Sequence, residues 1–116
     1  MATRCAIGQA DANGKWKIIY CHNDGYPEGV GAVLKAFWQD RDLAKELISL
    51  GSISTLGTSI ENTLFYIRDR GESAWQNSAV ECKDQSEVFK RAGQQWNCDY
   101  VYLQRDDNSW EMISDF

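Results

Sequence analysis

The residues best suited to chemistry lie in one short segment, 18–31, near the start of the chain. It contains the only His of the sequence, His22, together with the only Pro and three of the nine Gly. His22 and Asp24 have the spacing of a base and the carboxylate that orients it, or of a pair that binds phosphate. In a purely structural interpretation, His22 ends a strand and the Asp24 side chain shapes the following turn. The spacing leaves both interpretations open.

Glycine spacing points to a second use of the same segment. Between a predicted strand and a predicted helix, the backbone N–H groups of Gly25–Gly31 could bind an anion. The charge of Glu28 opposes this interpretation, because it would repel a phosphate. Alternatively, the glycines allow the helix to approach the sheet closely. The segment matches neither a P-loop, nor a dinucleotide-binding fingerprint, nor a nucleophile elbow, so it indicates a site without naming a reaction.

A second charged turn, Arg68-Asp69-Arg70, offers a cationic partner for the first segment. Arg commonly binds phosphate or carboxylate through two parallel hydrogen bonds. Alternatively, the turn is solvated, and one Arg pairs with Asp69 or with Asp24. Because both segments are charged, glycine-containing exits from strands of one small sheet, we predict that they converge in space.

The candidate residues are predicted to bind a ligand or partner rather than to catalyse a reaction. They are Tyr20, His22, Asp24, Gly25, Tyr26, Glu28, Arg68, Asp69 and Arg70. A nucleophile, a base and an orienting group cannot be assembled from one His and scattered Cys. A hydrolase would need Cys5 or Cys21 as an activated thiolate. We predict no cofactor and no metal, and we assign most tyrosines to the core, with one or two able to stack on a base.

The first of these segments is predicted to lie at the end of a β-hairpin. Asn13-Gly14 separates two strands, Arg4–Ala12 and Lys15–His22, and favours a two-residue turn. That turn would place Ile7 opposite Tyr20 and put Ile7 on one core face with Trp16, Ile18, Tyr20 and His22. A longer turn over Asp11–Gly14 would change the pairing.

Helical periodicity and capping residues predict the next elements. An apolar stripe from Val30 to Trp38 indicates a helix, and Asp40 caps a second helix that stops at Gly51. A loop over 52–62 and a strand over Thr63–Arg68 follow. Ala79–Cys82 is predicted as an edge strand, Asp84 begins a helix that stops near Gly93, and Tyr100–Arg105 and Ser109–Ile113 form a hairpin.

The order of elements is therefore β-β-α-α-β-(β)-α-β-β. Hairpins outnumber crossovers, which predicts an antiparallel sheet of about five strands with three helices on one face. With 116 residues, the chain is expected to form a single α+β domain over residues 1–116.

Composition narrows the classes of function. The net charge of −5 and the pI near 4.7 argue against direct binding of nucleic acid, which needs a basic face. They permit binding of basic protein surfaces, including by imitation of the charge of DNA. Five Trp, five Tyr and four Phe are enough to fill a small core or to line an interface. No apolar run approaches a membrane-spanning length.

The four cysteines are Cys5, Cys21, Cys82 and Cys98, and none forms a C-x-x-C pair. This spacing fits neither a zinc site nor a secreted disulfide framework, so we predict reduced, buried thiols. The first residues lead straight into a predicted strand, so we expect no signal peptide.

Several stretches together resemble a family of small proteins encoded by bacteriophages and prophages. The first is Ile19–Gly31, in which Asn23 stands where family members often have Trp. The others are Leu47–Gly57, Tyr66–Gly71, and Tyr100–Leu103 followed by Trp110. The resemblance covers most of the chain in the right order. It implies a phage origin and the cytoplasm of a bacterial host, but it implies no reaction.

Three classes of function remain. A phage accessory protein of this size could inhibit a host protein by stoichiometric binding, for example a defence or regulatory protein, in the manner of an anti-CRISPR. It could instead sequester a nucleotide or a nucleotide-like signal. A small hydrolase fits least, because no catalytic constellation is recognisable. The first class is our leading expectation.

Overall fold

A mixed sheet forms the framework of the molecule. The computed structural model describes residues 2–116; Met1, the first residue of the predicted domain, lies outside the described residues. The strands are β1 (Cys5–Ala10), β2 (Trp16–Cys21), β3 (Ile53–Thr55), β4 (Leu64–Phe65), β5 (Val80–Cys82), β6 (Tyr100–Gln104) and β7 (Trp110–Ile113). Their spatial order is β4-β3-β2-β1-β6-β7, and β5 pairs with the first half of β2.

Residues 2–116 form four α-helices: α1 (Ala32–Phe37), α2 (Arg41–Ser49), α3 (Ala74–Asn77) and α4 (Gln85–Lys90). Of these, α1, α2 and α4 pack on the sheet, whereas α3 has no buried residue. A π-helical turn precedes α1 and another follows α4. The predicted caps are confirmed: the Asp40 carboxylate accepts from the backbone N–H groups that begin α2, and the Asp84 carboxylate does so for α4. The one-turn helix α3 has no counterpart among the sequence predictions.

The α+β class is confirmed, but the predicted sheet of about five antiparallel strands is wrong in detail. The sheet has seven strands, and β1 runs parallel to β6, as β2 does to β3. The β2–β3 connection passes through α1 and α2, which is the crossover that parallel neighbours require. Counting hairpins along the chain cannot detect such pairs, because the paired strands are far apart in sequence.

Helices cover both faces of the sheet, so the prediction of helices on one face is also wrong. On one face, Ile7 and Ile19 pack with Leu34 and Leu47 from α1 and α2. On the other, strand residues including Ile18 pack with α4. The central strands carry apolar side chains on both faces, as strands buried between two layers do.

The β1–β2 turn is longer than the two-residue turn predicted at Asn13-Gly14. It spans 11–15, and the Asp11 carboxylate accepts from two backbone N–H groups within it, at 2.8 and 3.0 Å. Ile7 therefore lies opposite Ile19 and not opposite Tyr20. A register slip of one residue moves side chains to the other face, so Tyr20 lies on the α4 face, away from Ile7.

The segments after α2 differ from prediction in length. The predicted loop over 52–62 contains β3, and the predicted strand Thr63–Arg68 contains only the two residues of β4 before the chain turns. The strand β5 and the β6–β7 hairpin agree with prediction. No helix among residues 2–116 is long and apolar enough to cross a membrane.

Candidate functional site

The two predicted segments meet at Ser54 in β3. The Asn23 amide donates to the Ser54 hydroxyl at 3.3 Å, and the Arg70 guanidinium approaches the same oxygen at 3.4 Å. Ser54 is buried, so this hydroxyl is a fixed hub that joins the exit of β2 to the turn after β4.

Tyr20 and His22 form a hydrogen-bonded pair beside this hub. The Tyr20 hydroxyl lies 2.7 Å from His22 Nδ1, and the Tyr20 backbone N–H donates to the buried Ser52 hydroxyl at 3.1 Å. Burial raises the pKa of Tyr20 to about 12, so the hydroxyl keeps its proton at neutral pH. When Tyr20 donates this proton to Nδ1, the other ring nitrogen of His22, Nε2, carries the N–H and is free for a partner.

Aromatic rings surround this pair. The Trp96 ring meets the Tyr20 ring edge-on at 5.8 Å between centroids, and the Arg70 guanidinium lies 5.3 Å from the Tyr66 ring centroid. All three rings are half-buried, while Arg70 is exposed. We call the surface formed by Tyr20, His22, Tyr66, Arg70 and Trp96 the aromatic surface.

A cavity of about 320 Å³ opens beside the aromatic surface. Rings and polar side chains line it: Arg4, Tyr20, Ser52, Gln76, Asn77, Gln95, Trp96 and Asn97. The Nε atom of Arg4 is buried and makes no hydrogen bond among the described residues. One wall belongs to α3, whose Trp75 is 92% exposed. The cavity therefore combines stacking surfaces with carboxamides and an unsatisfied guanidinium nitrogen.

Arg68 does not join the aromatic surface. Its guanidinium binds the Asp69 carboxylate through Nε and Nη2, both at 3.0 Å, and donates to the carbonyls of Ile60 and Thr63 at 3.0 and 2.9 Å. It also lies 4.6 Å from the Phe65 ring centroid. Arg68 therefore holds the preceding loop closed and has little hydrogen-bonding capacity left for a ligand.

Asp69 is the carboxylate that completes this closed loop. It accepts from the Phe65 backbone N–H at 2.8 Å as well as from Arg68. The Arg68 hydrogen bond, followed by that of Phe65, holds the pKa of Asp69 below its usual value. Of the predicted Arg68-Asp69-Arg70 group, only Arg70 reaches the aromatic surface.

The glycine-spaced segment after His22 is bound to the molecule itself, and we call residues 24–31 the glycine turn. The Gly25 N–H donates to the Thr3 carbonyl at 2.8 Å, and the Gly25 carbonyl accepts from the buried Tyr102 hydroxyl at 2.7 Å. A Cβ on Gly25 would lie 2.8 Å from the Thr3 carbonyl oxygen. The Val30 N–H is taken by the Asp24 carbonyl at 2.8 Å. This geometry favours the structural interpretation of the glycines.

The remaining polar side chains of the glycine turn contact one another or solvent. The Tyr26 hydroxyl donates to the Asp24 carboxylate at 3.2 Å, and this bond raises the pKa of Tyr26. Asp24 adopts a φ of +60°, which Asp tolerates better than most residues. Glu28 lies exposed in the π-helical turn. Asp24 therefore shapes the turn and does not orient His22, whose Nδ1 is bound by Tyr20.

The cysteines are free and buried, as predicted. Cys5 and Cys21 are direct partners across β1 and β2, and burial, followed by the contact with Cys21, raises the pKa of the Cys5 thiol. Burial also raises the pKa of Cys98 to about 12. These environments disfavour a reactive thiolate. Residues 2–116 contain no group of three His, Cys, Asp or Glu side chains placed to hold a metal ion.

Sequence reasoning did not select Ser52, Ser54, Arg4 or Trp96 as site residues. One signal was available: Ser52-Ile53-Ser54 alternates polar and apolar side chains, as a strand with one polar face does.

Comparisons with models of protein families, with curated proteins and with solved structures find no match. The chemistry of the site must therefore be argued from its own residues.

Proposed function

We propose that this protein acts by stoichiometric binding of a bacterial host protein through the aromatic surface. The observation that carries the proposal is the convergence of three half-buried aromatic rings with Arg70 around two buried serines. Tyr, Trp and Arg are the residue types that contribute most to the affinity of protein interfaces. Rings held in place before binding lose little conformational freedom when a partner docks.

The chemistry at the surface favours binding without turnover. The only His is hydrogen-bonded to a tyrosine whose pKa is about 12, and Cys5 and Cys98 have raised pKa values. A nucleophile with a matched base is the minimum for covalent catalysis, and these groups do not supply one. The family resemblance supports a phage origin, action in the host cytoplasm, and a defence or regulatory protein as the partner.

Charge narrows the class of partner surface. The chain is acidic overall, yet Arg70 on the aromatic surface and Arg4 in the cavity beside it make no ion pair among residues 2–116. A partner patch rich in carboxylates or carbonyl oxygens would complement them. The earlier expectation of a basic partner surface therefore does not extend to this part of the molecule.

Co-purification with matched variants tests the proposal. Tagged wild-type protein, Arg70→Ala and Phe37→Ala are used to capture partners from bacterial lysate, and native mass spectrometry gives the stoichiometry. Phe37 is 51% exposed on α1, on the opposite face of the sheet, and serves as the control. We expect a partner in fixed ratio with wild type and Phe37→Ala, and its loss with Arg70→Ala. Equal capture by all three, or a chemically altered partner, would contradict the proposal.

A second candidate function is sequestration of a nucleotide-like signal in the cavity beside the aromatic surface. The specific observation in its favour is the buried, unpartnered Nε of Arg4 next to two rings and several carboxamides. Rings stack on bases, carboxamides bind base edges, and a guanidinium binds phosphate. Calorimetric titration with AMP and with a cyclic dinucleotide tests it. Binding that Arg4→Gln weakens would support this candidate over protein binding, and absence of heat at millimolar ligand would remove it.

A further inference from the structure

The tryptophans of the chain differ sharply in burial. Trp38 and Trp110 are buried, and the indole N–H of each donates to a backbone carbonyl at 3.0 Å. Trp96 is half-buried in the aromatic surface. Trp75, by contrast, is 92% exposed, whereas the other large hydrophobic side chains at the surface are 40–51% exposed. Nothing among residues 2–116 covers this ring.

The helix that carries Trp75 does not rest on the hydrophobic core. The helix α3 has a single turn and no buried residue. Local polar contacts fix its shape, because the Asn77 amide donates to the Ser73 carbonyl at 2.8 Å and the Ser78 hydroxyl donates to the Ala74 carbonyl at 2.7 Å. Removing a ring that already lies in water leaves no cavity, so Trp75 contributes little to the stability of the fold.

The base of α3 is joined to the aromatic surface through Ser52. The Ser52 N–H donates to the Asn77 carbonyl at 2.7 Å, and the Ser52 hydroxyl accepts from the backbone N–H of Tyr20 at 3.1 Å. A Cβ on Gly51 would lie 2.5 Å from the same Asn77 carbonyl oxygen, so this close approach requires glycine. Gln76 and Asn77 also line the cavity beside the aromatic surface. The backbone of α3 is therefore held next to that surface.

This arrangement suits the recognition of another protein. Because the backbone that carries the indole ring is already fixed, docking orders only the two side-chain torsions of Trp75. A fully buried tryptophan removes about 150–250 Å² of surface from water. Tryptophan is accordingly enriched among the residues that dominate the affinity of protein interfaces. Its N–H must find an acceptor in the partner, because an unpaired buried donor is costly.

We propose that Trp75 is the anchor residue of the interface with the host protein, and that the partner supplies an apolar pocket for the indole ring. The inference rests on the proposed function and extends it, since Trp75 and the aromatic surface then contact the same protein. An oxygen at the wall of the pocket accepts from the indole N–H. Glu72 lies exposed three residues before Trp75, so a neutral carbonyl suits this position better than a carboxylate.

Acrylamide quenching of tryptophan fluorescence tests the free protein. We expect Trp75→Phe to remove the most readily quenched part of the emission, at low and at high protein concentration alike. If that part disappeared from the wild type at high concentration, together with formation of a dimer in analytical ultracentrifugation, a second copy would be the occupant. If it were absent at every concentration, the ring would pack on its own molecule. Either result would overturn the proposal.

Calorimetric titration of the captured host protein tests the complex. The variants are Trp75→Ala, Trp75→Phe and the control Phe37→Ala, whose ring is exposed on the opposite face of the sheet. We expect Trp75→Ala to weaken the affinity about thirtyfold or more, which is the loss typical of a dominant interface residue. Trp75→Phe should lose less, because it keeps a ring, and Phe37→Ala should bind as the wild type does. Urea midpoints should be unchanged for Trp75→Ala, since α3 has no buried residue.

The outcomes separate this inference from the proposed function. Wild-type affinity in Trp75→Ala together with a loss in Arg70→Ala would overturn the anchor and leave the proposed function standing. Losses in both variants would support the two together. A lower urea midpoint in Trp75→Ala would show a structural role and would overturn the anchor. Failure of the wild type to capture any partner would remove the proposed function and this inference with it.

Discussion

The glycine turn and the aromatic surface start at neighbouring residues, yet they use their polar groups in opposite ways. In the turn, the Gly25 N–H and carbonyl bind Thr3 and Tyr102 inside the molecule. On the aromatic surface, the buried Ser54 hydroxyl fixes its neighbours while the guanidinium of Arg70 stays exposed. The glycine turn therefore serves as a scaffold although its residue types are suited to chemistry. The proposed binding site lies beside it, on the aromatic surface.

Arg68 and Arg70 repeat this contrast within one turn. Arg68 makes hydrogen bonds to Asp69 and to two backbone carbonyls, so removing it would take one hydrogen bond from each of these carbonyls. Arg70 makes one long hydrogen bond to Ser54 and a contact with a ring. We therefore expect substitutions at Arg68 to affect mainly stability, and substitutions at Arg70 to affect mainly binding.

The largest expected effect belongs to the glycine turn. Gly25→Ala places a methyl group against the Thr3 carbonyl, at a site held from the other side by Tyr102. Overpacking of this kind costs about 1–3 kcal/mol of unfolding free energy. Urea denaturation measures it.

Gly93→Ala is the matched control for this substitution. Its added methyl would lie 3.3 Å from the ring of Phe116, which is 41% exposed and can move. We expect a change within about 0.5 kcal/mol, as for substitutions away from strained or tightly packed sites. Equal losses for the two variants would contradict a scaffold role for Gly25.

The next effect separates the two arginines. Arg68→Lys keeps the charge but loses the planar guanidinium, whose N–H groups bind Asp69 and the loop carbonyls at the same time. We expect a loss of about 1–2 kcal/mol for Arg68→Lys, since hydrogen bonds of charged groups contribute at this level. Arg70→Lys should change stability by less than about 0.5 kcal/mol. Thermal unfolding of the two variants side by side measures this difference. A larger loss of stability for Arg70→Lys than for Arg68→Lys would contradict the structural role assigned to Arg68.

Local features of the sequence predicted local features of the fold. Asp40 and Asp84 cap their helices because capping depends on backbone groups only two or three positions away. The β1–β2 register depended on the Asp11 carboxylate organising a longer turn, and the sequence contained both alternatives. Parallel pairing and the covering of both faces depend on distant segments, and no local pattern encodes them.

The candidate site was also predictable only in part, because some of its features depend on local sequence and others on distant residues. The convergence of the two charged turns follows from their places at strand exits. Which arginine remains available depends on Ile60 and Thr63, whose carbonyls reach Arg68 only after the loop folds.

The smallest expected effect is a dependence of stability on pH. Asp69 has a lowered pKa in the folded protein, so as the pH falls the unfolded chain binds more protons at this residue than the folded protein does. Its stabilising contribution is complete above the ordinary Asp pKa and is lost as the pH falls through the folded-state value. Urea midpoints should therefore fall less between about pH 5 and pH 3 in Asp69→Asn than in the wild type or in Asp106→Asn. If the urea midpoint of Asp69→Asn fell with pH as steeply as that of the wild type, the result would contradict the Arg68–Asp69 pairing.

The central claim is that the aromatic surface binds a host protein while the neighbouring scaffold does not. Its most direct test is calorimetric titration of the captured partner with wild type, Arg70→Ala and Arg68→Lys, after each is shown to be folded. We predict that Arg70→Ala weakens the affinity tenfold or more, or about 1.4 kcal/mol, with unchanged stability. Arg68→Lys should retain wild-type affinity despite its lower stability. Wild-type affinity in Arg70→Ala together with a loss in Arg68→Lys would contradict the account.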